Sequence, residues 1–184
     1  MRKIIIALLC TFLFSFKVHK APFNTVQFNG YVNKKQYKTI NAFLDVAKNI
    51  GVKEITMIFY SGGGYVYWGN RIIKSMKRSK IKFTCIAYRA HSMALMIFLQ
   101  GCHKRLILHD GLLMHHAVKD QNCRRGNKET EKHNKIIARE TKVPLYIVRK
   151  QIGTCHKEWW IDAEEALHYG FVEGIIKKLE IVDK

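Results

Sequence analysis

The chain has 184 residues, 48% of them hydrophobic and 25% charged, enough apolar material for one buried core and too much for a disordered chain. Its 32 Lys and Arg against 14 Asp and Glu give a formal charge of +18, which attracts polyanions unselectively. The basic residues are scattered without interleaved aromatic stacking positions, so specific nucleic-acid binding is not expected, and a solvated basic face that meets an anionic membrane surface is the better reading.

Residues 1–21 stand apart. Arg2 and Lys3 precede an uncharged, mostly apolar stretch over 4–16, and 17–20 turns basic again. A basic start followed by roughly 7 to 15 apolar residues is the pattern of an export signal, and the stretch falls short of the ~20 residues that span a bilayer. A signal peptide or membrane anchor is therefore expected at 1–21 and an exported or membrane-associated protein, with a cytoplasmic chain as the alternative. With only 2 Pro and no linker or repeat, residues 22–184 are expected to form a single domain.

A first strand is predicted over 25–28 with a turn at Gly30, then a helix over 35–49 carrying Ile40, Phe43, Leu44 and Ala47 at helical spacing. The β-branched run 55–59 reads as a buried strand leading directly into Ser61-Gly62-Gly63-Gly64, and a helix follows over 66–78. The unit recurs as strand 82–87, a tight turn, helix 92–100, strand 106–108 and a short apolar piece 112–114. Helices over 128–140, 144–152 and 164–169 and a closing strand over 171–176 complete the prediction. Strands alternating with helices imply parallel β-α units.

The cysteines, Cys10, Cys85, Cys102, Cys123 and Cys155, form no CxxC pair and show no ligand-like spacing to histidine, so no metal site is expected. Their pairing cannot be read from the sequence, and for Cys85, inside an apolar strand, a buried thiol is the default.

Hydrolysis of an acyl bond requires a nucleophile, a base and fixed donors for the oxyanion. Ser92 lies where a strand gives way to a helix, beside amides that favour negative charge, although a serine there is ordinarily an N-cap. The glycines at 62–64 permit close approach of a ligand to the backbone. They match no phosphate loop, because no GK[ST] follows. His115 and His116 follow an apolar strand and point to opposite faces, so only one of them can meet Ser92.

Four ordered segments carry a family resemblance. Ile58-Phe59-Tyr60-Ser61-Gly62-Gly63-Gly64 resembles I-N-S-P-G-G, with Gly62 in place of the proline. Ala87-Tyr88-Arg89-Ala90-His91-Ser92-Met93-Ala94 resembles G-x-A-A-S-M-A, followed by Gly101-Cys102-His103-Lys104-Arg105 for G-x-K-R. Leu113-Met114-His115-His116 resembles M-I-H-Q, and 158–173 resembles D-x-[FW]-x-[ST]-A-x-E-A-x-x-Y-G-L-V-D. Together they resemble the ClpP-like serine peptidases, the proteolytic subunits of Clp proteases with their phage and signal-peptide-peptidase-like relatives, over about residues 25–178.

The resemblance implies an α/β fold of ClpP/crotonase-like repeated β-β-α units in a single domain, with a helical handle at about 122–149. It implies a serine endopeptidase that needs no cofactor, with Ser92 as nucleophile, His115 as base and Glu158 as acid. Gly64 and Met93 would form the oxyanion hole, and Gly62 and Gly63 would bind substrate. Glu158 is one methylene longer than the family's aspartate, and Asp162 is the rival acid, although it most simply caps a helix. The implied partners are a peptide or protein substrate and further copies of the chain in a homo-oligomer. The resemblance also implies a Clp-type ATPase partner, which an exported chain would not meet. The competing readings are a Ser-Lys hydrolase with Lys142 as base, a catalytically silent scaffold and a crotonase-like acyl-CoA enzyme.

Overall fold

The structure is a computed structural model and describes residues 24–118, 128–152 and 157–177. The expected signal segment, Cys10, Cys123, Cys155 and the start of the expected handle lie outside the described residues.

The chain alternates strand and helix: β1 (Thr25–Val32), α1 (Lys34–Asn49), β2 (Glu54–Gly64), α2 (Val66–Ser79), β3 (Lys82–His91), α3 (Met93–Gly101) and β4 (Lys104–His116). It continues with α4 (Lys128–Glu140), α5 (Leu145–Gln151), β5 (Glu158–Ile161), α6 (Ala163–His168) and β6 (Gly174–Ile176). Strands β1 to β4 pair in sequence order, all parallel. The far edge of β4 is shared: β5 pairs antiparallel with Leu113–His116 and β6 parallel with Leu106–Leu108. The result is a mixed α/β single domain built on one six-stranded sheet.

Several predicted boundaries shift for one reason. Glycines and turn-forming residues that end a strand in isolation are held in strand geometry when a neighbour pairs with them. Thus β1 passes through Gly30 by a register shift between Asn29 and Tyr31, so that Tyr31 and Val32 pair with Gly63 and Gly64. The glycine segment is therefore the end of β2 rather than a loop. Likewise the pieces at 106–108 and 112–114 are one strand, and β3 runs on to His91, leaving Ser92 alone between strand and helix.

Helix α3 is buried all round: Met93 through Leu99 are each at most 2% exposed. A helix apolar on every face belongs in the interior, and Phe98 packs edge-on against Phe59 of β2. Cys85 is not the expected thiol. It is bonded to Cys102, the residue that ends α3, because folding brings the start of β3 beside the end of the helix that follows it. Among the described residues no helix is long and apolar enough to cross a membrane.

Candidate active site

Ser92 occupies the N-cap position of α3 with φ 54° and ψ −121°, and its side chain makes no capping hydrogen bond. A non-glycine residue in that region stores strain that the surrounding structure must overcome. Here its amide donates to Met114 O of β4 at 2.8 Å, and the apolar anchor of α3 follows at once. The ordinary N-cap role is thereby excluded, and the hydroxyl is left at the head of a buried helix.

Gly63 approaches this turn closely. A Cβ there would lie 2.6 Å from His91 O, 2.8 Å from Ser92 Cβ and 2.9 Å from Met93 N, at φ +91°. Gly64, at φ +150°, abuts the Val32 backbone of β1 in the same way. Ser61 braces the segment: its buried hydroxyl donates to Gly30 O and accepts from the Gly63 amide at 3.2 Å.

A cavity of about 420 Å³ opens over these groups, lined by Ser92, Met93, Gly62, Gly64, His115 and His116, with His133 and a rim that includes Tyr31 and Tyr65. The structure thus brings the expected nucleophile, base and glycine segment to one space. His115 is 1% exposed, and burial holds its imidazole down at about pKa 3, so it is neutral at physiological pH. Its Nε2 lies 3.0 Å from Asn134 Oδ1. Among the described residues no hydrogen bond joins Ser92 Oγ to His115. His133 is also buried, with its pKa lowered to about 4, chiefly by desolvation.

Glu158 is not brought to His115. The β4/β5 register sets Glu158 opposite His116 and Trp159 opposite His115. Paired residues share a face and neighbours alternate, so Glu158 and His115 belong to opposite faces of the sheet. Glu158 is exposed, whereas Trp159 is buried. Asp162 caps α6 by accepting from the Glu165 amide at 2.8 Å. Lys142 is exposed and does not line the cavity. Of the basic residues before the serine, Arg89 stacks over Tyr60 and Tyr88 on the open sheet face, and His91 packs edge-on against Trp160.

Sequence reasoning misses Asn134 and His133. The available signal is their position on α4: with Thr130 they are polar residues sharing a helical face with Ile136 and Ile137, and all five are buried. Glu129, Glu131 and Glu140, the acids that a basic handle needs as partners, pair within the chain with Lys132, Arg149 and Arg139 respectively.

A layered α/β protein with a strained serine between a parallel strand and a buried helix is the class that fold and site define. The chain belongs to the Clp protease family, whose family model, described as Clp protease, matches residues 21–179. Among solved structures it is similar to a mutant of ClpP1 from Listeria monocytogenes, at 24% identity and a TM-score of 0.73, over 85% of this chain and 92% of that one. The chain has the ClpP fold. No curated protein matches it.

Proposed function

We propose that this protein is a serine peptidase in which Ser92 attacks a peptide carbonyl. Membership of the Clp protease family supports peptidase activity in general. The observation that carries the serine assignment is the backbone of Ser92, strained to φ 54° with its hydroxyl unused for capping. Strain of this kind is retained where the geometry serves a reaction.

In the proposed cycle His115 accepts the Ser92 proton as the Oγ–carbon bond forms. The oxyanion is held by the amides of Gly64 and Met93, while Gly62 and Gly63 align the substrate backbone. Collapse breaks the carbon–nitrogen bond, and the proton passes from His115 to the leaving amine. Water then repeats the sequence on the acyl-serine, with His115 again as base. The cavity rim of Tyr31 and Tyr65 supplies apolar contact for a peptide.

The proposal includes assembly into a homo-oligomer through the handle at 122–149 and export directed by residues 1–21. Native mass and the N-terminus of the protein recovered from its source test these parts.

A second reading, a silent scaffold, is favoured by one observation: His115 is hydrogen-bonded to Asn134 and not to Ser92. A fluorophosphonate probe separates the two. Labelling at Ser92 in the wild type, absent in Ser92→Ala, together with cleavage of a fluorogenic peptide, supports the peptidase. No labelling supports the scaffold.

A further inference from the structure

The buried amide of Asn134, 3% exposed, must use its polar atoms, because an unsatisfied amide in the interior costs about 1–3 kcal/mol. Its Oδ1 faces His115 Nε2 at 3.0 Å. The Glu131 carboxylate lies three residues back on α4, a neighbour of Asn134 on the helix surface. A carboxylate only accepts, so its presence on that side favours the amide NH₂ there and leaves the amide oxygen for the imidazole, as observed. Glu131 is in turn gripped by Arg149 of α5 through two guanidinium nitrogens, Nε at 3.1 Å and Nη2. Arg149 and Glu131 thus tie α5 to α4 one turn from Asn134, whose amide reaches the imidazole at the cavity.

An oxygen acceptor at Nε2 requires the imidazole proton there and leaves the lone pair on Nδ1. A general base needs one nitrogen protonated and oriented and the other free to accept. An amide suffices for this in the Cys-His-Asn sites of papain-like proteases, where no carboxylate is present. We infer that Asn134 is the positioning residue of this site: it holds His115 as the Nε2–H tautomer so that Nδ1 accepts the Ser92 proton, with Glu158 taking no part.

This inference rests on the peptidase reading and explains two observations together. The acid expected at Glu158 stands on the other face of the sheet, and α4 buries an amide it has no packing reason to bury. Burial holds the His115 pKa low and the neighbouring His133 and His116 add to this, while the hydrogen bond to the neutral Asn134 opposes them without overcoming the burial.

The test is the rate at which a fluorophosphonate labels Ser92 in the full chain, measured against pH for wild type, Asn134→Leu, Asn134→Asp and Glu158→Gln, with peptide kcat and KM alongside. Asn134→Leu is expected to slow labelling and kcat about 100-fold, at the lower end of what a general base supplies, with KM little changed. Asn134→Asp is expected to retain activity and to move the acid limb of the profile upward, because a negative charge favours the imidazolium. The inference is overturned if Asn134→Leu stays within about threefold of wild type, if Glu158→Gln causes the large loss instead, or if Asn134→Asp leaves the acid limb in place. Should Asn134→Leu fail to fold, the Asn134→Asp profile decides. Absence of any labelling in the wild type sinks the peptidase reading and with it the catalytic role of Asn134. The ¹⁵N spectrum of the His115 ring separately decides the tautomer: Nε2–H is expected, and Nδ1–H overturns the Asn134 contact itself.

Discussion

Replacing Ser92 by glycine is expected to make the protein more stable while abolishing its chemistry. At φ 54° and ψ −121° a residue with a Cβ carries about 1–3 kcal/mol of backbone strain, whereas glycine carries almost none. Glycine also gains freedom in the unfolded chain, which offsets ~0.5–1 kcal/mol. The net gain is about 1–2 kcal/mol, or about 3–6 °C in Tm for a domain of this size. Ser92→Ala is the control, because it keeps the strain and loses no capping bond, so it should stay within about 0.5 kcal/mol of wild type. The assay is thermal and urea unfolding of the three proteins at one protein concentration, since assembly shifts Tm by mass action. A Ser92→Gly variant no more stable than Ser92→Ala would refute the claim that the strand-to-helix turn is strained.

Gly63→Ala should destabilise by about 2–4 kcal/mol and abolish Ser92 labelling, because its Cβ would meet backbone atoms of the nucleophile turn at 2.6–2.9 Å. Calorimetry and the probe check both effects. Lowering the pH from 7.5 to 5 should destabilise the fold. His115 and His133 have folded pKa values depressed to about 3 and about 4, so the unfolded chain binds more protons below about pH 6.5. Each histidine then removes about 2 kcal/mol by pH 5, and the loss continues until pH reaches the folded pKa; an unchanged urea midpoint at pH 5 would contradict the burial of both imidazoles. Breaking the Cys85–Cys102 bond, by reductant or by Cys102→Ser, should cost about 3 kcal/mol for a separation of 17 residues. Unfolding with and without reductant measures it.

Local patterns made much of this molecule legible. The helices at 35–49 and 66–78 and the basic helix at 128–140 follow from 3.6-residue periodicity, and the buried strands from β-branched runs between turn residues. These are visible because each is governed by the residues within it. The fate of a glycine or a short apolar piece depends on what lies beside it. Gly30 and Gly62–Gly64 read as turns until β1 and β2 are paired, and the segments at 106–108 and 112–114 read as separate until β3 joins them along one edge.

The site divides along the same line. Ser92, His115 and the glycine segment could be named from chemistry and motif, because each sits at a junction that its own neighbours define. The group that bonds His115 could not. Whether an acid reaches His115 is decided by a one-residue alternation in the β4/β5 register, which sends Glu158 to the other face. What reaches it instead is Asn134, nineteen residues along the chain on a separate helix. Composition and periodicity thus determined which segments become strands and helices and which residues are chemically able. Only the packed fold decided which of them meet, because side-chain direction in a sheet and contact between distant helices are properties of the assembled layers and not of any one stretch of chain.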